Sequence, residues 1–147
     1  MDRFPCDDEY LRTLGRALYN FSVLEYAVLW IIETIEPGYM QKYRKEGLSA
    51  GQIATQFISS TASVQDTALR VKLSLMAARF QSLKNSRNDL LHANPAAWPS
   101  GDSVLIRADN KKQIFITWAP RHVVEIATKF QDLAIELLDV FYAEMGG

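Results

Sequence analysis

A mainly α-helical fold is what this sequence predicts: an antiparallel helical bundle with one small β-hairpin inserted ahead of the last helix. Three observations carry the prediction. Apolar residues recur at spacings of three and four over long stretches near both ends and in the middle of the chain. Pro37, Pro95 and Pro120 stand at the edges of those stretches. Between Val104 and Trp118 alone, β-branched and aromatic runs bracket a polar turn.

The first helix follows acidic Asp7-Asp8-Glu9, which suits the positive end of a helix dipole. Leu11, Leu14, Leu18, Phe21, Leu24, Val28, Ile31 and Ile35 form its apolar stripe, and Pro37-Gly38 ends it. Tyr39 to Glu46 is short and basic and stops at Gly47. Ser49 and Gln52 fit a capping box for a short helix that buries Ile53, Phe57 and Ile58. After a polar break at Ser59 to Ser63, Ser63 or Asp66 caps the next helix. Its stripe is Leu69, Leu73, Met76, Phe80, Leu83, Arg87 and Leu90, and Pro95 requires an end near Asn94. Ala96 to Ser103 reads as loop. Val104–Arg107 and Gln113–Trp118 then flank the turn Ala108 to Lys112, a hairpin over about residues 103–118. Two strands alone are marginal, so the hairpin is expected to pack on the helices or on a partner. Pro120 suits the first turn of the last helix, whose seam is Val123, Ala127, Phe130, Ala134, Leu137 and Phe141. No repeat or linker divides the chain, so residues 1–147 read as one domain.

Composition narrows the function classes. Hydrophobic residues make up 48% and charged residues 22%, which excludes a disordered chain. With a net charge of -1, there is no global attraction to nucleic acid, and any basic surface must be local. Cys6 is the single cysteine, so no intramolecular disulfide forms, which suits a reducing cytoplasm. One cysteine and two histidines, His92 and His122, make a zinc site of usual composition unexpected. Met1 to Glu9 shows no basic segment followed by an apolar run, so no secretory signal is expected. The apolar segment Ala27 to Ile32, bounded by Glu25 and Glu33, is too short for a bilayer, so no membrane partner is expected.

The chemistry concentrates in Asn85 to Pro95. Arg87 continues a buried stripe, where an arginine is costly unless something pairs with it. His92 falls in the terminal turn, where it is open to solvent. Asn88 and His92, four apart, share a face. Arg87 and His92, five apart, diverge by about 140° on a regular helix. They converge if the helix end unwinds at Asn94-Pro95, or if two copies meet across a two-fold axis. A histidine exchanges a proton near neutral pH, and a guanidinium holds a phosphate through two parallel hydrogen bonds. RNA supplies its own nucleophile, the 2′-hydroxyl. Arginine and histidine therefore suffice in principle for cleavage to a 2′,3′-cyclic phosphate, with no metal and no cofactor.

Arg87-Asn88-Asp89-Leu90-Leu91-His92 resembles the motif of the HEPN superfamily (higher eukaryotes and prokaryotes nucleotide-binding): Arg, a polar residue, and His after four intervening residues, late in a core helix. The match is at Arg87, Asn88 and His92. The resemblance implies a HEPN-type helical bundle, a homodimer with a composite active site, and a metal-independent endoribonuclease. His92 would be the acid and base, Arg87 would stabilise the scissile phosphate, and Asn88 would orient the pair. It also implies RNA as substrate, an antitoxin or other regulatory protein as partner, and a toxin–antitoxin or defence setting. The hairpin departs from a minimal HEPN bundle. The alternative reading is a non-catalytic HEPN-like module that binds a nucleotide or a protein. A structural account would set Arg87 against Glu25 or Glu33 and use His92 as a cap.

The remaining candidates have plainer explanations beside the functional ones. His122, beside Arg121, suits a solvated helix start. Lys42, Arg44 and Lys45, and Lys111 and Lys112, suit either solvent or RNA phosphates. Trp98 and Trp118 suit packing or base stacking. Cys6 has only Arg3 as a positive neighbour and is not expected to act as a nucleophile.

Overall fold

The computed structural model describes residues 6–97 and 103–147. Its helices are α1 (Asp8–Ile35), α2 (Tyr39–Glu46), α3 (Ala50–Thr61), α4 (Thr67–Leu91) and α5 (Pro120–Glu144). Between α4 and α5 lie β1 (Asn94–Ala97), β2 (Ser103–Asp109) and β3 (Ile114–Trp118).

Local chemistry sets the helix ends. The Asp7 carboxylate accepts the Tyr10 N–H at 2.8 Å to start α1. After Ile35 the Glu33 carboxylate takes the Gly38 N–H at 3.0 Å and the Met40 N–H at 2.7 Å, which fixes the reversal into α2. Gly47, at φ 62, ends α2 in the left-handed region that glycine tolerates without strain. Ser49 and Gln52 form the expected reciprocal cap of α3, at 3.2 Å and 2.8 Å. Of the two residues proposed to start α4, Asp66 is the cap, accepting the Leu69 N–H at 2.7 Å. Pro120 occupies the first turn of α5.

The core sits where α1, α3, α4 and α5 meet. Phe21 lies 6.0 Å from Phe80 and 5.1 Å from Phe130, centroid to centroid, and Phe57 lies 6.4 Å from Phe80. Lys72 with Glu144 and Arg79 with Glu136 show α4 and α5 running antiparallel. The α1–α5 pair, the most extensive helix contact, is different. Tyr10 meets Trp118, Asn20 meets Ala127 and Trp30 meets Phe141, so these two helices run in the same direction. The bundle is therefore not uniformly antiparallel. A seam of spaced apolar residues specifies which face of a helix is buried, not the direction of the helix that buries it.

Three expectations are corrected. The segment expected to begin a loop at Ala96 instead lies within β1, which pairs antiparallel with β2, Asn94 opposite Ile106 and Ala96 opposite Val104. The sheet has the order β1-β2-β3, and Pro95 stands on an edge strand, where a missing N–H is tolerated. Second, Leu11 (50% exposed) and Leu18 (38%) lie outside the core, while Tyr10 and Ala17 are buried. Third, Ile58 is exposed. The Tyr10 hydroxyl explains part of the rotation of α1. It donates to the Trp118 carbonyl at 2.6 Å and accepts the Leu105 N–H at 3.2 Å, pinning the sheet to the start of α1. By length and composition α1 also passes as a membrane-crossing helix, with a mean hydropathy of 1.2 over its most apolar window. This differs from the expectation based on Ala27 to Ile32. The face that holds Leu24, Val28, Ile31 and Ile32 is packed in the bundle core.

The hairpin turn spans Asn110 to Gln113. Asp109 Oδ1 accepts the N–H groups of Lys111 and Lys112, both at 3.1 Å, and Gln113 takes φ 55.

Candidate functional site

The last two turns of α4 carry the candidate residues. The helix stays regular through Leu91, and the His92 N–H still donates to the Asn88 carbonyl at 3.0 Å. Unwinding at Asn94-Pro95 therefore does not bring Arg87 and His92 together. The two keep the angular separation of a regular helix, Arg87 turned inward and His92 outward.

Arg87 reaches across the bundle to α1. Its guanidinium carbon lies 4.7 Å from the centroid of the Phe21 ring, a cation–π contact. Its Nε is buried and has no hydrogen-bond partner among the described residues. One turn along α1 from Phe21, Glu25 is half-buried. Desolvation raises the Glu25 pKa, and the Arg87 charge partly opposes that rise. Of the two carboxylates proposed for Arg87, Glu25 is thus the one in its field. Glu33 is committed to the backbone between α1 and α2, and those N–H groups hold its carboxyl below the ordinary value.

Asn88 is half-buried on the adjacent position of α4. His92 caps the helix at φ -95 and ψ 6, with its side chain exposed. A residue not singled out from the sequence meets it there. Arg107, on β2, donates from Nη1 to the His92 carbonyl at 3.4 Å, and its Nε lies 3.9 Å from Asp89 Oδ1. No short motif flags Arg107. It reaches His92 only because β2 folds back beside the end of α4.

Apolar side chains are also exposed near this helix end. Arg87 meets Phe21, and one turn further along each helix come Leu91 (48% exposed) on α4 and Leu18 on α1. Leu11 continues that surface on α1, and a side chain at Gly15 between them would meet nothing within 4 Å.

The other candidates are distributed away from this end or engaged locally. His122 is held at both ring nitrogens, by Arg121 Nε at 3.3 Å and the Thr117 carbonyl at 3.3 Å. Trp118 is 7% exposed, so its ring is core rather than a platform for a base. Trp98 lies outside the described residues. Lys42 lines a groove between α2 and α3, with Arg44 and Lys45 on the same short helix. Cys6 is a free thiol packed against the core. Among the described residues, no three His, Cys, Asp or Glu side chains gather where they could hold a metal ion.

No family model, curated protein or solved structure matches this chain.

Proposed function

We propose that this chain is a HEPN-type endoribonuclease that works as a homodimer without a metal. The observation that carries the reading is the state of Arg87. A guanidinium nitrogen is buried on the core stripe of α4 without an acceptor, one turn before an exposed histidine. A buried unsatisfied donor is costly and calls for an explanation; the other such side-chain atom among the described residues, Trp118 Nε1, belongs to a core ring.

In the reaction, the RNA 2′-oxygen attacks the adjacent phosphorus as its proton passes to a histidine. The bond from phosphorus to the 5′-oxygen breaks, and that oxygen takes a proton from a second histidine. The products are a 2′,3′-cyclic phosphate and a 5′-hydroxyl. His92 of each chain would fill these two roles, Arg87 would stabilise charge on the phosphoryl oxygens, and Asn88 would orient them. The regular helix argues for two chains, since one chain turns Arg87 and His92 apart. Leu11, Leu18 and Leu91 supply an apolar face beside the motif that a second copy would cover. A toxin or defence role, with a protein antitoxin as regulator, is consistent with this chemistry.

The test is cleavage of RNA by the purified protein in excess EDTA, with end-group analysis. Cyclic-phosphate ends are expected, with loss of cleavage in both Arg87→Ala and His92→Ala. Mixing the two inactive variants should not restore activity, since a heterodimer of the two keeps only one of the two histidines that the shared cleft needs. Cleavage that survives both substitutions would overturn the reading. Saturable nucleotide binding without cleavage would favour the non-catalytic module instead.

A further inference from the structure

Arg107, whose Nη1 reaches the His92 backbone carbonyl, lines an open cavity of about 380 Å³ together with Asp89 and the β2–β3 turn. Ala108, Asp109, Asn110 and Lys111 complete its lining. Its charges are not all spoken for. Asp109 Oδ1 is taken up by the Lys111 and Lys112 backbone N–H groups, which pins the turn. Arg107 faces Asp89 only at 3.9 Å, with both side chains 38% exposed. Such a long, solvated ion pair contributes little and is readily exchanged for a better acceptor. A phosphate is that acceptor, since it takes two parallel bonds from a guanidinium. Arg87 points inward, over Phe21. Arg107 is thus the arginine whose side chain reaches the backbone of His92, through its carbonyl.

We propose that this cavity is the substrate subsite next to the cleaved bond, where Arg107 and Lys111 bind a flanking phosphate of single-stranded RNA and Asn110 faces its nucleotide. The inference rests on the ribonuclease reading for the identity of the ligand, and it assigns the hairpin a purpose that the motif alone does not. Three residues of strand and turn separate Arg107 from Lys111, a span on the order of 10 Å, so the cavity accommodates about one nucleotide.

The experiment measures binding of a short single-stranded RNA with 2′-O-methyl sugars, which lacks the nucleophile and stays intact. Fluorescence anisotropy over a salt series compares the wild type with Arg107→Gln, Lys111→Ala and Phe115→Ser. Phe115 is 76% exposed and is paired with Ala108, so strand alternation places it on the face opposite Arg107. The expected result is weaker binding in Arg107→Gln and Lys111→Ala, by roughly tenfold each. Each should also flatten the salt slope by about 0.7 for the lost phosphate contact. Phe115→Ser should bind as the wild type does. With cleavable RNA the first two variants should raise KM more than they lower kcat. Unchanged affinity and slope in both would overturn the inference, as would an equal loss in Phe115→Ser. Lys111 is exposed at the turn, so its variant tests binding even where Arg107→Gln disturbs the fold. Cleavage by the wild type with unaltered binding in the variants would remove the subsite and leave the ribonuclease reading standing. Binding through Arg107 and Lys111 without any cleavage would do the reverse.

Discussion

Arg79 and Arg87 lie about two turns apart on α4, and their surroundings differ in kind. Arg79 is exposed and holds Glu136 of α5 with both nitrogens of its fork. Each partner stabilises the other's charge, raising the arginine pKa and lowering that of the carboxylate. Arg87 instead faces an aromatic ring and a half-buried carboxylate, with Nε unsatisfied. The first arrangement is complete within one chain and explains itself as a tie between helices. The second is incomplete within one chain, and that incompleteness is what a binding or catalytic role would account for.

Substitutions separate the two sites. The largest effect is expected from Arg87→Lys, which keeps the charge but loses the planar fork. RNA cleavage should fall by about 100-fold or more while the circular dichroism spectrum is retained, and Arg79→Lys should leave cleavage within about twofold. A wild-type rate in Arg87→Lys would erase the distinction. Next, Leu18→Asp with Leu91→Asp should shift the protein to monomer in sedimentation and reduce cleavage in parallel. A fully active monomer would show that one chain completes the site. Phe21→Leu should lower stability by about 1–2 kcal/mol in denaturant titration, through lost packing and the lost cation–π contact. Arg79→Ala should cost less, about 1 kcal/mol at most, and the difference should shrink in high salt.

The smallest expected effect is a pH dependence of opposite sign at two glutamates of α1. The folded-state pKa of Glu25 lies above the ordinary 4.5, so its contribution favours folding below that value. The contribution is lost as pH rises through the raised pKa. Relative to wild type, Glu25→Gln should therefore gain stability as pH increases through that window. Glu33 has a lowered folded-state pKa, so its contribution is present above 4.5 and lost as pH falls through the lower value. Glu33→Gln should be weaker than wild type near neutrality and converge with it in acid. Parallel profiles in chemical denaturation would contradict the assignment of these two environments.

The sequence made much of this legible where the signal is local. The Ser49–Gln52 cap, Pro120 at a helix start and the apolar seam of α5 each depend on residues within a turn or two, and each is found as read. β1 was not legible because Pro95, Ala96 and Ala97 carry no strand pattern of their own. Their extended form depends on β2 pairing with their backbone. The stripe of α1 was right from Phe21 onward and rotated before it. Spacing alone does not reveal that Tyr10, through Trp118 and Leu105, turns the first two turns of the helix toward the sheet. At the site, the inward turn of Arg87 followed from its register with Leu83 and Leu90. Phe21 and Arg107 did not follow, because they reach Arg87 and His92 from elements far away in sequence.

The shared direction of α1 and α5 has a consequence for how the chain is assembled. α3 and α4 are neighbours in sequence and close a short loop, so they are suited to form early. α1 finds its principal partner in α5, which is made after every other described element. Until α5 emerges from the ribosome, the stripe from Phe21 to Ile32 has only the partial cover of α2, α3 and α4, and the nascent chain is exposed to aggregation or to capture by a chaperone. A chain that stops short of Phe130 would lack both the cover for α1 and the ring that packs against Phe21. The seat of Arg87 would thus be secured only once α5 has been made and has packed against α1.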